Sequence, residues 1–236
     1  MRARVALVHG SRLSAAQWAP TLPYLAPYVD TIAVDLPGHG LRAEERFTLA
    51  RGIEVVQEAV ASAPAGSPAV VVGHSLGGYV ALAHAARHSA GLAGVVLAGC
   101  SADPVGPGAA VYRGVASLTE RLGPDRMERL TVRFLRRRYP PEVSEPLIAG
   151  GYYPGPTADA WREVMGQCRA AMLADVRCPV LLLNGQYDQF RLGERSFRRF
   201  CPAAEVEHVP GASHLANLDR PEEFAEAVLR FVRRVG

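Results

Sequence analysis

The sequence predicts an α/β fold, with a mostly parallel sheet of about six strands and helices on both faces. Two observations support this. Short apolar runs alternate with helical stretches, which is the pattern of a parallel sheet covered on both sides. The alternation stops only between residues 101 and 175, where Gly-, Pro- and Tyr-rich pieces take over. That stretch is too long for a loop, so we expect a single domain over residues 1–236 with residues 101–175 as an inserted helical cap.

Six segments are predicted to be strands, because each is a short run of Val, Ile, Leu or Ala next to turn-forming or polar residues. They are Arg4–Val8, Thr31–Asp35, Ala69–Gly73, Gly94–Ala98, Val180–Asn184 and Glu205–Val209. Helices are expected near residues 15–26, 49–62, 76–88, 193–200 and 220–234. The last has the clearest pattern, since Phe224, Val228 and Phe231 share one face and Pro221 lies in its first turn.

Composition and charge narrow the possible functions. The 236 residues are 49% hydrophobic and 21% charged, so the chain can bury a large core. All 26 basic residues are arginine, which excludes any mechanism that needs a catalytic lysine. The densest basic run, residues 125–138, places Met127, Leu130 and Phe134 on one side of a helix and arginines on the other. This pattern favours a solvated helix face, and it gives no indication of nucleic-acid binding.

The sequence predicts a reduced, cytoplasmic protein. The N-terminal stretch "MRARVALVHG" is too short for a signal peptide, because a predicted strand begins within it. No apolar run approaches the length of a membrane span. The four cysteines, Cys100, Cys168, Cys178 and Cys201, lie far apart without a metal-ligand spacing. We expect no metal and no organic cofactor.

The stretch "GHSLGG", residues 73–78, predicts a serine held on a sharp turn. Ser75 follows a strand and precedes a helix, and Gly73 and Gly77 complete the pattern G-x-S-x-G. The carboxyl ends of parallel strands form the edge at which ligands bind. The helix start also favours a developing negative charge near Ser75. Ser75 is therefore a candidate nucleophile.

A nucleophilic serine needs a base, and His214 is the candidate. It lies in the Gly- and Ser-containing loop "VPGASHLAN" after the last strand, at the same edge of the sheet as Ser75. The other histidines lie on a helix, in a strand or in turns, where hydrogen bonding within the fold explains them. For the acid that orients the base, Asp188 follows the strand after the cap. It is favoured over Asp103, which follows the preceding strand.

Two main-chain amides are candidates for an oxyanion hole, which stabilises the charge on the reacting carbonyl oxygen. Leu76 directly follows the nucleophile. The second amide should come from the loop after the first strand, where His9-Gly10 permits a tight turn, and its position indicates Ser11.

Taken together, these motifs resemble the α/β-hydrolase fold over essentially the whole chain. The matching features are His9-Gly10, "DLPGHG" at 35–40, "GHSLGG" at 73–78, a strand followed by Asp188, and "GASHLANLDRPEEF" at 211–224. The resemblance implies Ser75, Asp188 and His214 as a catalytic triad, with Ser11 and Leu76 as oxyanion amides. The family's first two antiparallel strands are not evident, which resembles the compact methylesterase and hydroxynitrile-lyase branch.

The predicted function is hydrolysis of a small carboxylic ester, thioester or lactone by a serine esterase. A lyase of the hydroxynitrile type is disfavoured, because that branch is expected to use a lysine. A ligand receptor with slow turnover, a C–C bond hydrolase and a cofactor-free haloperoxidase-like enzyme remain open, since they share the triad. Dehalogenases and epoxide hydrolases resemble the fold but carry an aspartate at the position of Ser75.

The cap is expected to set the substrate through an apolar pocket. Its candidate lining residues are aromatic: Tyr112, Phe134, Tyr139, Tyr152, Tyr153 and Trp161. Among these, Tyr153 and Trp161 are the candidate substrate contacts. Arg12, next to Ser11, could meet an anionic acyl group or could be a solvated loop residue.

Overall fold

A six-stranded, all-parallel sheet forms the centre of the protein. The computed structural model describes residues 2–104, Gly114, Ser117 and 123–236. The strands are β1 (Arg4–Val8), β2 (Asp30–Val34), β3 (Ala69–His74), β4 (Gly94–Ala98), β5 (Val180–Gly185) and β6 (Glu205–Val209). They lie in the order β2-β1-β3-β4-β5-β6, and every neighbouring pair is parallel. The predicted fold class is confirmed.

Nine α-helices have both ends in the described part of the chain. They are α1 (Leu22–Leu25), α2 (Leu49–Ala61), α3 (Leu76–His88), α4 (Pro124–Arg138), α5 (Pro141–Ala149), α6 (Thr157–Gln167), α7 (Glu194–Phe200), α8 (Ala216–Asp219) and α9 (Pro221–Val235). None of the helices in the described part of the chain is long and apolar enough to cross a membrane.

The helices bury the two faces of the sheet in separate apolar clusters. Alternate side chains of a strand point to opposite faces. Accordingly, Val71 belongs to the cluster formed with α2, α3 and α6, whereas Val70 and Val72 belong to the cluster formed with α1 and α9. Because both faces are covered, only the ends of the strands are available for a site. Their carboxyl ends all lie at one edge.

The helix predicted over residues 15–26 is wrong as a single element. The chain forms a 3-10 helix over Ala15–Trp18, then a turn, and then the short α1. Pro20 falls between the two pieces and has no amide hydrogen to continue the helical ladder, which explains the break. Strand β2 begins and ends one residue earlier than predicted, and this leaves Asp35 outside it.

Helices α4, α5 and α6 lie in the insertion, residues 101–175, between β4 and β5. The apolar side predicted for α4 differs from the one observed. Met127 and Leu135 are buried, whereas Leu130 and Phe134 are exposed to 47% and 51%. The helix therefore packs along a neighbouring stripe and leaves two apolar side chains at the surface.

Candidate active site

Ser75 lies on a strained turn between β3 and α3. Its φ is 52°, a value that residues other than glycine rarely adopt. The flanking glycines are needed for space. A Cβ on Gly73 would lie 2.2 Å from the carbonyl oxygen of Gly77, and a Cβ on Gly77 would lie 2.4 Å from the carbonyl oxygen of Val8. Strand, turn and helix thus pack backbone against backbone, and Ser75 is held between them.

Ser75, His214 and Asp188 form a chain of hydrogen bonds. His214 Nδ1 lies 3.1 Å from Asp188 Oδ2, and His214 Nε2 lies 3.1 Å from Ser75 Oγ. A carboxylate only accepts, so Nδ1 carries the hydrogen and Nε2 is free to accept the hydroxyl proton of Ser75. The three residues, separated by up to 139 positions in the chain, meet at one edge of the sheet.

Asp188 is held as an ionised, immobile acceptor. It is 2% exposed, and its second oxygen, Oδ1, accepts a hydrogen bond of 2.8 Å from the amide of Phe190. Burial favours the neutral acid, but the hydrogen bonds and charge of His214 outweigh it and lower the pKa of Asp188 below its usual value. Asp103 forms no hydrogen bond with His214, and its Oδ1 is buried without a hydrogen-bond partner among the described residues.

Gly99 leaves room for this pair. Its φ is 60°, and a Cβ there would lie 3.1 Å from His214 Cε1 and 3.2 Å from Asp188 Oδ2. Any larger residue would press on both side chains in a backbone conformation that it adopts poorly. The end of β4 therefore contributes space to the site.

The loop after β1 is fixed on both sides of Ser11. The amide of Gly10 donates to Gln17 Oε1 at 2.7 Å, and the amide of Arg12 donates to His39 Nε2 at 3.2 Å. The carbonyl of Arg12 accepts from the amide of Tyr153 at 2.8 Å. The amide of Ser11, which lies between those of Gly10 and Arg12, donates to no group in the described part of the chain. The amide of Leu76, the first residue of α3, likewise has no acceptor in the described ranges.

A cavity of about 320 Å³ opens above Ser75. Its lining combines the loop after β1, the serine turn, the loop of His214, and residues of the insertion, which are Thr131, Phe134, Leu135, Tyr152 and Trp161. Tyr153 is not among the described residues that line it. Its ring instead packs edge-on against His39 at 6.0 Å. Tyr139 packs against α8 and is also absent from the described lining, and Tyr112 lies outside the described residues.

Comparison with known proteins decides the family. Residues 5–227 match the family described as "Alpha/beta hydrolase family". The chain belongs to this family. It is 30% identical to a pimeloyl-[acyl-carrier protein] methyl ester esterase of Xanthomonas campestris, across 96% of this chain and 93% of that protein. A Neisseria meningitidis protein of the same name is 29% identical, across 98% of this chain and 77% of its own length.

Among solved structures, an esterase from Thermogutta terrifontis with malate bound is similar to this member of the Alpha/beta hydrolase family. It superposes with a TM-score of 0.79 at 26% identity, covering 99% of this chain and 90% of that one. Within the ranges that the structure describes, no group of three or more His, Cys, Asp or Glu side chains could hold a metal ion.

A buried polar network lies behind the site, and the sequence analysis did not predict it. His74 Nε2 donates to the carbonyl of His214 at 2.8 Å, and His74 Nδ1 accepts from Gln17 Nε2 at 2.9 Å. The same Gln17 nitrogen donates to Asn217 Oδ1 at 3.2 Å. Burial, followed by the charge of His214, lowers the pKa of His74 to about 3, so its ring is neutral. The network ties the serine turn, the loop after β1 and the loop of His214 together.

Asp219 links the loop of His214 to the insertion through hydrogen bonds. Its Oδ2 accepts from the amide of Ser213 at 2.7 Å, while its Oδ1 accepts from Arg138 Nη2 and Tyr139 Oη, each at 2.9 Å. Ser213 directly precedes His214. The position of α4 and the position of the imidazole are therefore linked through one carboxylate.

Proposed function

We propose that the protein hydrolyses a small carboxylic ester through an acyl-enzyme on Ser75, with His214 as the base and Asp188 as its orienting partner. The chain is an esterase of the Alpha/beta hydrolase family. The observation that carries the proposed mechanism is the chain of hydrogen bonds from Asp188 through His214 to Ser75, which ends in the cavity. Thioesters and lactones present the same carbonyl chemistry and fall within the proposal.

Acylation starts when His214 Nε2 takes the proton of Ser75 Oγ. The oxygen forms a bond to the carbonyl carbon of the ester, and the carbonyl electron pair moves onto oxygen. The resulting imidazolium is stabilised by Asp188 through Nδ1. When the intermediate collapses, the alcohol oxygen leaves with the bonding pair and takes the proton from Nε2. The acyl group then remains on Ser75.

Deacylation repeats these steps with water. His214 Nε2 takes a proton from water while its oxygen adds to the acyl carbon, and Ser75 Oγ leaves and regains the proton. In both halves the negative charge develops on the carbonyl oxygen. We assign the amides of Ser11 and Leu76 as its two donors, supported by their lack of other acceptors in the described ranges.

We also propose that residues 101–175 act as a cap within a single domain, residues 1–236. This is supported by the aromatic and aliphatic side chains that the insertion contributes to the cavity above Ser75, among them Trp161 and Phe134. They would cover the apolar part of the substrate and exclude water. We place the protein in the cytoplasm, since its four cysteines are free thiols.

A second candidate substrate is a methyl ester carried on an acyl carrier protein, as the names of the curated relatives state. One surface feature favours it. A hollow on the outside of α4, whose other side lines the cavity, is lined by four arginines and one glutamate: Arg129, Arg133, Arg136, Arg137 and Glu128. Such a basic face would attract an acidic protein carrier. Esters of a carrier and free esters would be separated by comparing kcat/KM for the two forms of one acyl group.

Covalent labelling tests the proposal. A fluorophosphonate should modify the protein once, with peptide mapping placing the adduct on Ser75, and Ser75→Ala should abolish labelling and ester turnover. An activated ester should give a burst of alcohol equal to the enzyme concentration, because an acyl-enzyme accumulates. A lyase forms no acyl-enzyme with its own substrate and would show no such burst with it. A slow-turnover receptor would label but would turn over less than about once a minute, against a median of about 10 per second for enzymes. Folded protein that resists labelling at Ser75 would contradict the proposal.

A further inference from the structure

Arg12 stands out among the residues of the cavity. It lies at the cavity wall directly after Ser11, and its φ is 68°. In the described part of the chain, Ser75 is the one other residue with a positive φ that is not glycine. Glycine or asparagine would adopt this conformation more readily than arginine. An arginine at such a strained position indicates that its side chain has a functional role.

The main chain of Arg12 is held by hydrogen bonds, while no described residue holds its guanidinium. Its amide is bonded to His39 and its carbonyl to Tyr153, as described above. The guanidinium has no ion pair or hydrogen bond with any described residue, and its carbon lies 5.9 Å from the centre of the Tyr152 ring. A ring contact of this kind uses the face of the guanidinium. The N–H groups at its edge remain available to an anion.

The described residues of the cavity provide no opposite charge for Arg12. Among the described lining residues, it has the one permanently charged side chain, and no aspartate or glutamate faces it there. Apolar groups form most of the remaining surface, including Phe134, Leu135 and Trp161. A ligand that satisfies this lining carries apolar atoms and one negative charge.

We propose that Arg12 binds an ionised carboxylate on the substrate, so that the preferred substrates are half-esters of short dicarboxylic acids. This inference rests on the proposed esterase function. The edge of a guanidinium matches the two oxygens of a carboxylate. A phosphate monoester carries a charge of about −1.5 to −2, which one unassisted cation would leave partly unpaired in an apolar cavity. Because Arg12 directly follows Ser11 and both line the cavity of Ser75, we expect a substrate whose ester carbonyl meets the Ser11 amide to place its carboxylate within reach of the Arg12 side chain. A cavity of about 320 Å³ has room for a short diacid half-ester.

The test compares monomethyl glutarate with methyl pentanoate, which has a methyl group in place of the carboxylate. The wild-type protein should favour monomethyl glutarate in kcat/KM. Arg12→Gln removes the charge but keeps a shorter polar side chain. It should lower the ratio of the two kcat/KM values by about tenfold to a hundredfold, the usual effect of losing a charged hydrogen bond. Arg126→Gln removes the same charge from an exposed position on α4 and should leave the ratio unchanged.

A second measurement needs no variant. Glutarate should slow the labelling of Ser75 by a fluorophosphonate, and neutral glutaramide at the same concentration should not. Equal turnover of the two esters, or a ratio that survives Arg12→Gln, would overturn the inference while leaving the esterase function in place. Protection by inorganic phosphate but not by glutarate would overturn the choice of carboxylate. Failure of both turnover and labelling would instead remove the proposed function, and the inference with it.

Discussion

The ring of His74 holds the main chain of His214: its Nε2 donates to the carbonyl oxygen of His214 at 2.8 Å, and the two ring centres lie 4.9 Å apart. His74 precedes the serine, and His214 contacts it. One neutral side chain therefore sets the distance between the turn that carries the nucleophile and the loop that carries the base. Gln17 in turn fixes His74 through Nδ1.

Asp188 rather than Asp103 should orient His214. Asp188→Asn should lower kcat by about 10²–10⁴-fold with the fold intact, because the imidazole loses the acceptor that sets its tautomer and stabilises its charge. Asp103→Asn is the matched control, since Asp103 has no hydrogen bond to His214 in the structure, and it should change kcat little. Kinetics with an activated ester and a thermal melt check both variants. The opposite ranking of the two variants would show that the acid is misassigned.

Gln17 should act as a positioning residue. Gln17→Met leaves the His74 nitrogen and the Gly10 amide buried without partners, at a cost of about 1–3 kcal/mol of stability for each. It should also lower kcat by about tenfold to a hundredfold with little change in KM, because the base and the oxyanion loop shift together. The rate of Ser75 labelling should fall in parallel.

The matched control for Gln17 is Gln57→Met. Gln57 also bonds a histidine, since its Oε1 accepts from His84 Nε2 at 2.9 Å, but it lies away from the cavity. It should leave kcat unchanged. A Gln17→Met variant with lowered stability and full kcat would reduce the network to a structural role.

Several parts of this arrangement follow from the sequence, and others do not. The strand before Ser75 was predictable, because short apolar runs next to glycines identify strands. The placement of Ser75, Asp188 and His214 at one edge of the sheet was also predictable, because the carboxyl ends of parallel strands share that edge. The Gln17–Asn217 contact was not, since it joins residues 200 positions apart whose types are common in loops. The wrong prediction of one helix over 15–26 has a local origin instead, because Pro20 ends the short helical turn that carries Gln17.

Phe134 should affect substrate binding without holding the fold. It is 51% exposed yet lines the cavity, so Phe134→Ala should raise KM for small apolar esters such as methyl pentanoate and change stability little. A loss of about 1–3 kcal/mol of binding is expected for a side chain that covers the substrate. Leu130→Ala on the same helix is the control, because Leu130 is 47% exposed and is not among the described lining residues. Equal KM values for both variants would place Phe134 outside the substrate path.

Stability should decrease as the pH falls from about 6.5 towards 4. Burial, followed by the charge of His88, lowers the pKa of His84 from its ordinary 6.5 to about 4. Above pH 6.5 the folded and unfolded states both hold it neutral. Below that pH the unfolded state gains a proton that the folded state does not, so the free energy of unfolding falls by about 1.4 kcal/mol per pH unit for each such histidine. His84→Gln should flatten the slope between pH 6 and pH 5 by about this amount in urea titrations; an unchanged slope would refute the assignment.

The backbone strain at Ser75 should affect the melting temperature of variants at this position, independently of any effect on catalysis. At φ 52° every residue with a Cβ is disfavoured by about 1–3 kcal/mol, and glycine is not. Ser75→Gly should therefore melt higher than Ser75→Ala, although both are inactive and both lose the hydrogen bond to His214. Ser144, which is 1% exposed in α5, gives the matched pair. In that ordinary helix glycine is worse than alanine by about 1 kcal/mol. The order of the two variants should thus reverse between the sites, and the same order at both would show that the turn stores no strain.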